Sequence, residues 1–120
     1  MFVDIEQYRE VLNKALELSG TYSFDDVRRG VETGEFQLWA GNKSAVLTQI
    51  HDYPQKRVLY VFAAGGTMDE MKLLWPLVRD WATRQGCKSA FLVGRRGWAR
   101  SFLRAAGWKP SALVMMETTL

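Results

Sequence analysis

From residue 5 onward apolar side chains return every three or four positions, at Ile5, Tyr8, Leu12, Ala15 and Leu16, with polar residues between them. That spacing predicts a helix with one buried face. Asp4 stands where it can cap the first amides, Gln7 where it can reach back, and Val3 and Tyr8 where they can close a hydrophobic staple. A second helix is predicted over Phe24–Thr33. Ser23 and Asp26 have the spacing of a capping box, Tyr22 and Val27 that of a staple, and Gly34 supplies the stop. The period then changes. Runs rich in β-branched and aromatic residues, Phe36–Ala40, Ser44–His51 and Arg57–Ala64, predict three strands. The tight Gly41-Asn42-Lys43 turn and the longer connection at 52–56 join them into an antiparallel meander. The third run is apolar on both faces, as a central covered strand is.

Gly65-Gly66 ends the meander, and Thr67-x-x-Glu70 opens the longest predicted helix. Met71, Leu74, Leu77, Val78, Trp81 and Ala82 face the sheet in this reading, and Gly86 ends the helix. Pro76 cannot donate to the Lys72 carbonyl, so a kink or a second helical segment is expected there. Ser89–Val93 reads as a buried strand, Trp98–Ala106 as a short helix stopped by Gly107, and Ala112–Thr118 as a final strand. Met115 and Met116 take opposite faces of that strand. As a sheet edge it can accept another chain; core packing or a covered edge is the alternative. The predicted class is α/β: one domain over residues 1–120, a central mixed sheet made of the meander plus later strands, and about four flanking helices.

Composition narrows the picture without redrawing it. Apolar residues make up 48% and charged residues 24%, the balance of a chain that folds around a core. The apolar runs are strand-sized, far short of the ~20 residues a bilayer span needs, and MFVDIEQY lacks the form of an export signal. With one cysteine, Cys87, no intramolecular disulfide can form, which points to a reducing compartment and a semi-buried thiol. The net charge of +3 permits nucleic-acid or other anionic partners but does not demand them. Five tryptophans are many for 120 residues, so some are expected at the surface, where a partner subunit is one use for them.

The element order resembles that of the Gcn5-related N-acetyltransferase (GNAT) fold. Ser101-Phe102-Leu103-Arg104-Ala105-Ala106-Gly107-Trp108 resembles the late segment of that family in which a short helix breaks at a glycine-aromatic pair. The family's first strand is missing or reduced to residues 1–3, and its C-terminal hairpin is truncated. Gly94-Arg95-Arg96-Gly97-Trp98, the stretch from Trp81 to Cys87, and Phe36-Gln37-Leu38-Trp39 resemble small GNAT-like proteins of tailed bacteriophages. That resemblance implies a virion or DNA-ejection role, other protein subunits of a phage particle as partners, and a place in the virion or the host cytoplasm.

The family also implies acetyl-CoA, held by its pyrophosphate on backbone amides of a basic, glycine-rich loop that leads into the long helix. Here that stretch is Ala63-Ala64-Gly65-Gly66-Thr67-Met68-Asp69-Glu70. Gly65, Gly66 and Thr67 are the candidate coenzyme-binding residues should binding survive. The basic or glutamine position is gone, and Asp69 and Glu70 put negative charge where a diphosphate would lie. The family's tyrosine proton donor falls on Leu103, which has no proton to give. Ser101, Tyr60 and the sole histidine, His51, are poor substitutes by position, and Glu35 and Asp52 have no evident partner. The expectation is a domain without catalytic residues and without a cofactor, with an active N-acetyltransferase as the alternative. Arg95, Arg96, Arg100 and Arg104, with Lys109 and Trp98, cluster around the short late helix and form a candidate interaction site for an acidic surface or a nucleic acid; the alternative is a solvated charged face with Trp98 in the core.

Overall fold

Ser23, Gly34 and Thr67 mark element ends in space as they do in sequence. A computed structural model describes residues 4–95, 97–98 and 101–120. After a single 3₁₀ turn, Ile5–Tyr8, come helices α1 (Arg9–Glu17) and α2 (Phe24–Thr33), strands β1 (Phe36–Ala40), β2 (Ala45–Asp52) and β3 (Arg57–Gly65), helix α3 (Met68–Arg84) and strand β4 (Ser89–Leu92). The Ser23 hydroxyl accepts from the Asp26 amide at 3.1 Å and the Asp26 carboxylate from the Ser23 amide at 2.9 Å, closing the predicted box. Gly34, at φ 83°, supplies the left-handed stop. At the first helix Asp4 accepts from the Glu6 amide at 3.0 Å; Val3, the other half of the expected staple, lies outside the described residues.

The sheet runs in the order β1-β2-β3-β4. β1, β2 and β3 form the expected antiparallel meander, and β4 joins β3 in parallel after the α3 crossover. One core cluster lies between α1, α2 and the sheet, built on Tyr8, Leu12, Leu16, Phe24, Val27, Leu47 and Ala63. The other lies under α3, where Met71, Leu74, Val78 and Ala82 meet Val46, Leu59 and Val61. Leu12, Leu47, Leu59, Val27, Val58 and Val78 are fully buried, each contributing about 1.5–3 kcal/mol by leaving water.

One expectation is narrowed and three are corrected. α3 is one helix across Pro76, so no second segment starts there; the proline is exposed, and only the bond to the Lys72 carbonyl is forgone. Leu77 is 60% exposed, because it falls off the stripe set by Met71, Leu74, Val78 and Ala82. The described part of 98–106 is a chain of tight turns, with bonds such as Arg104 N–H to Ser101 O at 3.3 Å and Ala106 N–H to Leu103 O at 3.0 Å, so a fourth regular helix is absent among the described residues. Finally, Ala112–Thr118 forms no strand: Leu113, Val114, Met115 and Met116 are 74–89% exposed, and no described residue pairs with them. Pro110 holds the chain extended as it leaves Trp108.

None of the five tryptophans is fully buried, as expected of so many in a small core. All five are half-buried, and all five pack around the α3 cluster. Trp39 stands edge-on to Trp81 at 5.5 Å, and Trp75 lies 4.9 Å from Trp108. They serve one side of the core rather than an outer surface.

Candidate functional site: the cleft at the start of α3

Between Leu47 and Thr48 the β2–β3 register slips. Leu47 pairs with Ala63 but Thr48 pairs with Val61, so Phe62 is an extra residue on β3. Such a bulge bends its strand and sharpens the local twist. The parallel pairing of β3 with β4 runs from Val58–Ser89 to Val61–Leu92 and stops at the same point. Beyond it β3 keeps β2 as far as Gly65 while having no pairing on its other side among the described residues. The two parallel strands therefore part at the bulge, and a cleft opens between Phe62–Gly65 and the segment that follows Leu92.

The loop at the head of this cleft is short, with only Gly66 and Thr67 between β3 and α3. Two amides at this helix start are taken by the protein itself. Thr67 N–H donates to the Ser44 hydroxyl at 2.8 Å, and Glu70 N–H to the Thr67 hydroxyl at 3.3 Å. Ser44, fully buried, donates in turn to the Glu70 carboxylate at 3.0 Å. Gly66, at φ 122°, lies so close beneath Ser44 that a Cβ would sit 2.1 Å from its oxygen and 2.5 Å from its Cα. Glu70 leans away from the helix axis to the β1–β2 turn, where it accepts from the amides of Asn42 and, at 2.9 Å, Lys43. Those bonds hold its carboxyl below the ordinary glutamate range, the Lys43 amide first, with Ser44, Asn42 and Thr67 adding to it against partial desolvation. Tyr8 closes the far side, its hydroxyl donating to the Gly41 carbonyl at 2.6 Å. A turn, a loop and two helices are tied together around one carboxylate.

This arrangement differs from the sequence expectation in a useful way. Asp69 makes no recorded hydrogen bond and stays exposed; Glu70 alone is engaged. The reciprocal box expected between Thr67 and Glu70 is open, since the Thr67 amide belongs to Ser44. Ser44, Tyr8 and the turn amides escaped the sequence reading. The available signal was the turn itself, Gly41-Asn42-Lys43 followed by a small hydroxyl residue, which offers adjacent amides to any nearby anion.

Leu103 is buried. It lines, with Val61, Met71, Trp75, Leu92, Trp98 and others, an apolar cavity of about 30 Å³, room for one water. Ser101 is occupied locally: it donates to the Trp98 carbonyl at 2.7 Å and accepts from the Leu103 amide. Tyr60 is half-buried on the sheet face opposite α3, 5.4 Å from His51 and stacked at 6.3 Å on Phe62. Burial raises its phenol pKa, with Tyr22 and Tyr53 adding to the effect. His51 shares hydrogen bonds with Gln49 at 2.8 Å and Tyr53 at 3.3 Å. Two residues thought unpartnered have partners: Asp52 pairs with Arg57 at 2.6 Å, and Glu35 accepts from Gln49 at 3.5 Å. Tyr60 faces away from α3, and His51, Asp52 and Glu35 lie far along the sheet from Ala45 and Gly65, which meet at the start of α3.

Of the candidate interaction site, Arg95 and Arg104 are exposed, Trp98 is half-buried in the α3 cluster, and Arg96 and Arg100 lie outside the described residues. Cys87 is half-buried, and burial raises its thiol pKa.

No protein-family model matches the chain, and no curated protein sequence does. Solved structures do. The chain is similar to TTHA1254 of Thermus thermophilus, with a TM-score of 0.63 at 21% identity over 93% of this chain and 92% of that one. It is similar to glucosamine-6-phosphate N-acetyltransferase of Arabidopsis thaliana, with a TM-score of 0.63 at 11% identity over 98% and 95%. The fold is GNAT-like. A provisionally designated acetyl transferase of Pyrococcus furiosus adds a TM-score of 0.60 at 19% identity over 98% and 97%. At these identities the likeness carries the GNAT-like architecture alone, the mixed sheet with its flanking helices.

Proposed function

We propose that the chain is a GNAT-like domain that has given up acetyl transfer and acts as a structural or interaction component. The observation that carries this reading is the occupied loop at the start of α3. A diphosphate there needs free amides and room. The Thr67 amide is bonded to Ser44, Gly66 is pressed against the same residue, and the Glu70 carboxylate stands 3.0 Å from its hydroxyl. A second anion brought to this point meets like charge and no vacant donor at Thr67. The residues Gly65, Gly66 and Thr67 therefore do not fit acetyl-CoA in this arrangement. Leu103, buried where a proton donor would be needed, agrees with that conclusion.

The resemblance of short sequence stretches to tailed-phage proteins supports a role among the protein subunits of a phage particle, in the virion or the host cytoplasm. Isothermal titration with acetyl-CoA is the direct test. No heat above dilution at millimolar coenzyme is expected, and 1:1 binding in the micromolar range overturns the reading.

One observation favours the other reading, an active N-acetyltransferase. Beyond the Phe62 bulge, β3 and β4 part and leave strand edges that an extended ligand can join. Acetyl transfer from acetyl-CoA to any amine, measured as released thiol, would establish it.

A further inference from the structure

The C-terminal segment is strand-like in sequence and pairs with no described residue of its own chain. Residues 112–118 read Ala-Leu-Val-Met-Met-Glu-Thr, yet Leu113 is 85%, Val114 82%, Met115 74% and Met116 89% exposed. A run of large apolar side chains this bare is a mark of a covered surface. The sheet has a matching vacancy. β4 pairs with β3 on one side only, no described residue pairs with its outer edge, and Phe91 and Val93 beside that edge are each 44% exposed.

We infer that the segment Ala112–Thr118 adds as an antiparallel strand to the outer edge of β4 in a second copy of this chain, each copy giving its tail to the other. Side-chain alternation and charge fix the register. With Val114 opposite Phe91, Leu113 falls beside Leu92 and Met115 beside Ala90, on the α3 side where Leu92 and Ala90 already pack. Met116 falls beside Ser89. Glu117, the sole charged residue of 110–120, falls opposite the exposed Lys88. A slip of one residue moves Leu113 and Met115 to the other face and separates the charges.

The occupant is a second copy because each chain carries both halves of the contact, a bare apolar segment and a bare strand edge, and within its own fold the two do not pair. Trp108 is anchored against Trp75 on the α3 side, Pro110 disfavours a helical Lys109, and the segment that follows packs on none of its own core. Reciprocal exchange is isologous and closes both free edges at once. It covers four apolar side chains from each tail and Phe91 and Val93 from each edge. At roughly 100 Å² of apolar surface per side chain the total is on the order of 1,000 Å², the threshold of a specific interface. The inference does not depend on whether coenzyme binds at α3, since none of these residues belongs to that loop.

Sedimentation velocity on the full chain, from micromolar to hundreds of micromolar, tests it. The expected species has twice the 13.7 kDa chain mass. Met115→Pro removes a ladder amide from a segment that contributes nothing to the described core, so a monomer with unchanged far-UV dichroism is expected. Lys88→Glu and Glu117→Lys should each weaken the dimer roughly fivefold, and the two together should restore it. A chain that stays monomeric over the whole range, with the tail either protease-sensitive or protected on its own β4, overturns the inference. So does a dimer that survives Met115→Pro.

Discussion

Glu70 shows how little of a residue's role its position on a helix reveals. Acid in the first turn of α3 is an ordinary complement to the helix dipole, and the sequence places it there plainly. Its main partners lie 27 and 28 residues earlier, in the β1–β2 turn, a separation that only the folded meander closes. The sign of its pH effect follows from its depressed folded pKa. Its contribution is fully present above the unfolded value near 4.5 and is lost as pH falls through the lower folded value. Glu70→Gln should therefore lower the melting temperature at pH 7 and lose that part of the acid limb which falls below about pH 4.5. Melting curves from pH 3 to 7 for both proteins would show it, and parallel curves would contradict it. Ser44→Ala leaves the Thr67 amide without its acceptor at a part-buried site, at a cost of about 0.5–1.5 kcal/mol in urea unfolding. A loss below about 0.5 kcal/mol would mean water takes the hydroxyl's place.

The elements themselves were largely written in the local pattern. α2 and β1 begin and end where capping and alternation place them, because Ser23, Gly34 and the short turn at 41–43 act on their immediate neighbours. The misses share one cause, dependence on something distant. A strand over 112–118 needs a ladder, and no described residue pairs with it; in the described part of 98–106 tight turns bury Leu103 while Trp98 and Phe102 pack on the α3 cluster. The Phe62 bulge, which opens the cleft, has no marker of its own; it arises from the register of β2 against β3. Helix α3 offers two contrasts. Leu74→Ala should cost about 2–5 kcal/mol, since that side chain is 8% exposed, whereas Leu77→Ala, at 60% exposure, should stay within about 0.5 kcal/mol. Pro76→Ala restores a donor to the Lys72 carbonyl at an exposed site and should stabilise the chain by about 1–3 kcal/mol. Denaturant midpoints at constant slope would check all three, and a destabilised Pro76→Ala protein would show that the helix relies on the proline's fixed backbone angle.

At the scale of the molecule, two helical layers enclose one sheet, and the edge opposite β1 stays open. If exchanged tails close that edge, unfolding is coupled to dissociation, and the melting temperature should climb with protein concentration. Removing residues 112–120 should abolish that climb while leaving the dilute-limit value in place. The same architecture divides the chromophores. Every indole packs on the α3 side, while the phenols of Tyr8, Tyr22 and Tyr60 stand on the other, among the residues of α1, α2 and the facing sheet surface. Emission from indole and absorbance from phenol thus report on different halves of the interior. A spectroscopist following both signals through denaturation can ask whether the halves melt together, with no label attached.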